Sequence, residues 1–81
     1  MRFANPIRPL SSRVGAAICA WLGHRRLRRG DHRGAIRAFH QALRRRPGRF
    51  PQLMDMAQAH LCARELHEAR RYLAQAREAD P

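Results

Sequence analysis

Five histidines, two cysteines and seventeen arginines are the side chains of this 81-residue sequence that could carry chemistry. Metal ligation needs donors that converge on one point. His24, His32 and His40 fall on a helix, a turn and a different helix, while His60 and Cys62 stand two residues apart. Residues sharing a helix face are three or four apart, so this last pair diverges. No HExxH, CxxC or HxE pattern occurs, and we expect no metal site. A cysteine nucleophile would need an activating histidine, an orienting third group and a cleft to hold them. So short a helical chain offers little cleft, so no catalytic residue, cofactor or enzymatic activity is expected. Cys19 and Cys62, 43 residues apart with no second pair, read as buried thiols in a reducing compartment.

Arginine is the more telling residue. It supplies every basic side chain, and the formal charge is +11. Residues 1–49 hold thirteen arginines against Asp31 alone, whereas residues 50–81 hold four against five acids. One cluster gathers Arg25, Arg26, Arg28, Arg29 and Arg33; another gathers Arg44, Arg45, Arg46 and Arg49, with Arg37 between them. Such clusters can meet phosphates of nucleic acid or of an anionic membrane surface. Single-stranded bases also need stacking platforms. Trp21, Phe39, Phe50 and Tyr72 are mostly assigned to packing, so a solvated face or a docking face for an acidic protein requires fewer assumptions.

These side chains need elements to position them. Eighty-one residues make one domain at most, with about 60% of the unfolded surface buried on folding. The longest apolar run, Val14 to Gly23, is too short for the roughly 20 residues a membrane span requires. The acid-free, arginine-bearing start superficially resembles a transit peptide. We discount that reading, because a repeat begins inside it. Shifting the chain by 34 residues superposes Ala35 on Ala69, Phe39 on Leu73, Ala42 on Ala76 and Pro47 on Pro81. Leu22 falls on Met56, Gly23 on Ala57 and Leu27 on Leu61.

Each period predicts two helices. The first is capped by Ser11 or Ser12 and runs to about Arg29, where Gly30 breaks it. Asp31 opens a second, ending near Arg46 because Pro47 and Gly48 cannot extend it. Pro51 suits the first turn of a third helix reaching about Ala63. A turn at Arg64 and Glu65 leads to a fourth, from about Leu66 to Ala79. Ala35, Ile36, Phe39, Ala42 and Leu43 share one side of the second helix, while Arg33, Arg37, His40 and Arg44 line a separate stripe. No segment alternates with period two, so no strand is expected.

Ala35-x3-Phe39-x2-Ala42-Leu43-x3-Pro47, with Leu22-Gly23 upstream and Gly30 in the turn, resembles the tetratricopeptide repeat signature. A looser second copy carries Leu53, Met56-Ala57, Ala69, Leu73, Ala76 and Pro81. The resemblance implies an all-α fold, an α-α superhelix of about four helices in antiparallel helix-turn-helix repeats. Its units would be an N-terminal flank or cap over 1–15, one repeat over 16–49 and another over 50–81. Gly23, Ala57, Ala35 and Ala69 would let helices cross closely, with Phe39 and Leu73 filling the adjoining space. Cys19 and Arg26 stand where the family usually has large apolar residues, and Trp21 is displaced from the usual tryptophan place. Val14, Ile18 and Trp21 form an outer stripe that the tail (Phe3, Ile7, Leu10), a second copy or a partner would cover. Two repeats without a capping helix suggest self-association or a stabilising partner.

For function, the resemblance implies binding of a peptide or partner helix along a concave surface. Carried onto this sequence, the groove is Ala20, His24, Leu27 and Arg28 with Met54, Gln58, Leu61 and Cys62. It would suit an amphipathic helix or an extended apolar segment bearing an acidic group. Only Arg28 and Gln58 could serve in the family's carboxylate clamp, so a chaperone-tail binder is not expected. The basic docking surface would be Arg25, Arg26, Arg29, Arg33, Arg37, Arg44 and Arg45. We expect a small adaptor or complex subunit, cytoplasmic or peripheral to a membrane complex, whose basic first half meets an acidic protein. An arginine-rich module for nucleic acid or an anionic membrane surface is the alternative.

Overall fold

A computed structural model describes residues 11–79. The tail residues Phe3, Ile7 and Leu10, and the repeat-closing Pro81, lie outside the described residues. Four helices follow one another: α1 (Ser12–Arg28), α2 (His32–Arg45), α3 (Phe50–Cys62) and α4 (Leu66–Ala79). No strand occurs among the described residues. The fold is thus an all-α helical repeat, and each helix begins and ends within a few residues of its predicted place.

The boundaries have local causes. Ser11 caps α1 by accepting from the Val14 amide at 3.1 Å. Asp31 caps α2 in the same way, its carboxylate accepting from the Gly34 amide at 2.9 Å. Arg49 opens α3 without a side-chain cap, and Pro51 in the first turn removes an amide that would otherwise need a partner. Gly48, with φ of 72°, turns the chain between α2 and α3.

Helices α1 and α2 pack as one antiparallel hairpin, α3 and α4 as another, and α2 lies against α3. Gly23 allows the first close approach, since a β-carbon there would overlap the Phe39 ring. Ala35, Phe39, Met56 and Ala59 form a fully buried cluster spanning α2 and α3, with Leu27, Ile36, Leu43 and Tyr72 packed around it. Ala42, Leu53, Ala57, Ala69 and Ala76 are buried as well, and Leu22 is half-buried.

Three expectations are corrected. Leu73 does not fill a core space; it is 38% exposed, and its neighbour Tyr72 turns inward instead, stacked on the buried His60 ring. The thiols are not buried: Cys19 is half-covered at the α1 and α2 seam, and Cys62 is exposed as the last residue of α3. Of the aromatics assigned to packing, Trp21 and Phe50 are exposed. Trp21 shares this exposure with Val14 and Ile18, also on α1.

Candidate binding surfaces

The residues expected to line a groove lie on α1 and α3, which meet through His24 and Asp55. Ala20, His24 and Leu27 are half-buried, whereas Arg28, Met54, Gln58, Leu61 and Cys62 are exposed. Leu27 packs against the buried cluster, so its side chain divides between core and surface. His24 crosses from α1 to α3: its Nε2 lies 3.2 Å from Asp55 Oδ1, and its ring meets Phe39 edge-on with centroids 4.9 Å apart. Burial pushes the Asp55 carboxyl above the ordinary aspartate value, and the facing His24 partly opposes that shift. A partly desolvated carboxylate therefore lies beside His24 between α1 and α3. The sequence reading missed Asp55; its one visible signal is that it is the lone acid of an otherwise apolar and neutral helix, three residues before Gln58.

The basic residues divide into engaged and outward-facing groups. Arg26 is half-buried and its Nη1 donates to the Gly34 carbonyl at 3.1 Å, tying α1 to the start of α2. Arg33 donates to Glu65 Oε2 at 2.7 Å, and His60 Nδ1 lies 2.7 Å from the other Glu65 oxygen. This bridge joins the start of α2, the end of α3 and the turn before α4. The hydrogen bond from His60 holds the Glu65 carboxyl below the ordinary glutamate range, with the Arg33 charge adding to it against the opposing effect of burial. Arg25 lies over the Trp21 ring with its guanidinium carbon 5.4 Å from the centroid. Arg29, Arg37, Arg44 and Arg45 are exposed. The sequence reading assigned Arg33 to docking; its pairing with Glu65, 32 residues away, has no periodic signal that would have revealed it.

Neither α1 nor α2 contains an acid, and the Asp31 between them is occupied at the α2 cap. The first hairpin is thus a strongly positive surface with Asp31 as its single acid, while α3 and α4 together carry both signs. No group of three or more metal-ligating side chains gathers among the described residues, and no helix there is long and apolar enough to cross a membrane.

A family model described as tetratricopeptide repeat matches residues 26–81. No curated protein and no solved structure matches the chain.

Proposed function

Because this chain belongs to the tetratricopeptide repeat family, a family of protein-interaction modules, we propose that it is a small scaffold that docks on an acidic or amphipathic protein partner. In this reading residues 16–49 and 50–81 are its two repeats, with 1–15 as a flank. The concave line from Ala20 to Cys62 receives a peptide or helix, and no residue acts catalytically. Its place in this reading is the cytoplasm, with a position peripheral to a membrane complex as the alternative.

The observation that carries the reading is charge placement. A hairpin with exposed arginines and no acid on either helix stands next to a hairpin of mixed charge. Complementary charge steers a partner and fixes its register, while apolar contact supplies most of the holding energy. Nucleic acid is the rival, but the exposed aromatics Trp21 and Phe50 lie on different helices. A run of bases would need them along one path.

The test pairs affinity purification and crosslinking of the full-length protein with a gel shift on random RNA and DNA across a salt series. A protein crosslinked to α1, α2 or α3, and nucleic-acid retention no stronger than nonspecific, supports the scaffold. Submicromolar nucleic-acid binding that falls steeply with salt, and no protein crosslink, would sink it.

A further inference from the structure

Building on that scaffold reading, we infer that α1 and α2 form a second docking groove, separate from the concave surface, which takes an acidic amphipathic helix. An open hollow of about 340 Å³ lies between these two helices. That size falls among ligand clefts, which occupy about 300 to 1,000 Å³. Cys19, Leu22 and Ala38 contribute to its lining with Arg26, Arg37 and Gln41, and every residue lining it belongs to α1 or α2. None of the concave residues takes part.

The hollow continues into an apolar strip. Val14, Ile18 and Leu22 follow one another at intervals of four, which places them in line along α1. Trp21 stands beside them. Val14 is 46% exposed, Ile18 50% and Trp21 56%. A strip of this spacing matches the one-sided apolar face of a helix laid along it.

Charge decides the occupant. Arg26 and Arg37 stand in the walls of the hollow, and Arg25 covers the Trp21 ring at the border of the strip. With no acid on α1 or α2, a ligand bearing carboxylates on the flanks of its apolar face would find guanidinium partners on both sides. The chain's own residues 1–10 bring Arg2 and Arg8 and no acid, and a second copy is itself strongly basic, at +11 overall. Each would set like charge against the rim. An acidic helix from another protein meets both the apolar and the electrostatic demand.

The probe is a labelled, about 18-residue helical peptide with leucines at i, i+4, i+7 and i+11 flanked by glutamates, compared with its lysine-for-glutamate counterpart. Fluorescence anisotropy reads binding to the full chain, and Trp21 emission reads the site, since Trp21 is the single tryptophan. The acidic peptide should bind and shift Trp21 emission to the blue, and the lysine peptide should not. Arg37→Glu should weaken binding about tenfold or more with helical content unchanged, because it reverses an exposed rim charge. Ile18→Glu should abolish the emission shift. Met54→Ala and Gln58→Ala, on the concave surface, should alter affinity less than about twofold.

Several results would overturn the groove. Loss of binding in the concave variants but not in Arg37→Glu would leave the scaffold reading intact and remove this one. Equal binding of the lysine peptide would exclude an acidic ligand. A red shift of Trp21 in the unliganded Phe3→Ser/Ile7→Ser variant would make the tail the occupant. Sedimentation showing a dimer that Ile18→Glu dissolves would make it a second copy. Absence of binding by either peptide, with crosslinked partners seated on α3, would likewise overturn it.

Discussion

At the scale of single residues, two glycines on α1 that look alike in sequence differ in what their missing side chains permit. A β-carbon on Gly23 would strike the Phe39 ring, which is wholly buried and has nowhere to turn. A β-carbon on Gly15 would strike only the outer end of the Arg45 side chain, which is exposed and can swing away. Gly23→Ala should therefore lower stability by about 1 to 3 kcal/mol through overpacking. Gly15→Ala should be neutral or slightly stabilising, since alanine favours helix over glycine by about 1 kcal/mol. Denaturant melts of the two variants check this, and equal losses would mean that Phe39 yields as readily as Arg45. Glu65 makes a pH prediction of the same local kind. An ionised carboxylate only accepts, so Nδ1 of His60 carries the proton between them. Because the folded state lowers the affinity of Glu65 for a proton, its contribution is complete above the ordinary glutamate value. It is lost as pH falls through the lowered folded value. The acid limb of a plot of Tm against pH should be shallower in Glu65→Gln than in the native chain; coincident limbs would mean that this bridge adds nothing to stability.

At the scale of elements, the two hairpin turns repeat one hydrogen-bond pattern at the 34-residue interval. After α1 the Gly30 amide donates to the Leu27 carbonyl and the Asp31 amide to that of Arg26; after α3 the Arg64 amide donates to Leu61 and Glu65 to His60. Each is a Schellman closure, which needs one left-handed residue. Gly30 takes it with φ of 82°, but Arg64 takes it with φ of 63°, where a β-carbon is strained. Arg64→Gly should consequently raise stability by about 1 kcal/mol, and Gly30→Ala should lower it by a similar amount. Thermal melts decide, and a destabilising Arg64→Gly would show that the arginine side chain compensates the strain. The same turns indicate how far sequence reasoning reaches. Helix positions and the all-α class were legible, because small residues recurring at a fixed interval constrain where helices cross. Asp31 was legible as a cap from its type and place. Its counterpart Glu65 was not legible as the centre of the Arg33 and His60 bridge, because contacts between distant side chains depend on rotamers and have no period. Leu73 and Tyr72 were exchanged for a related reason: a large apolar residue at the right interval is placed correctly along α4 but can face either side of its seam. The candidate site divides likewise, since the chain positions of the groove residues came from the repeat but Asp55 and the hollow beside α2 emerge only from packing.

At the scale of the whole molecule, the question is whether two hairpins behave as one unit. Repeat arrays hold together through interfaces between neighbours, and a weak interface lets the units unfold separately. Here Ala35 and Phe39 of α2 are buried together with Met56 and Ala59 of α3, and Arg33 reaches the α3 and α4 turn. The largest buried side chains, Phe39, Leu53 and Met56, belong to the two middle helices. Separating the hairpins would uncover much of the buried cluster, so neither should persist without the other. Unfolding should thus be a single transition, with Trp21 emission, which reports α1, and helical ellipticity, which reports all four helices, changing at the same denaturant concentration. Ala35→Leu overfills the joint itself and should move both signals together to lower denaturant, by about 1 to 3 kcal/mol. Ala69→Leu, on α4, should do the same, because destabilising either hairpin destabilises the shared core. Were the Trp21 signal to precede ellipticity, or Ala69→Leu to leave it unmoved, the α2 and α3 seam would be too weak to couple the two halves. The first hairpin would then have to draw its stability from whatever docks on its basic face.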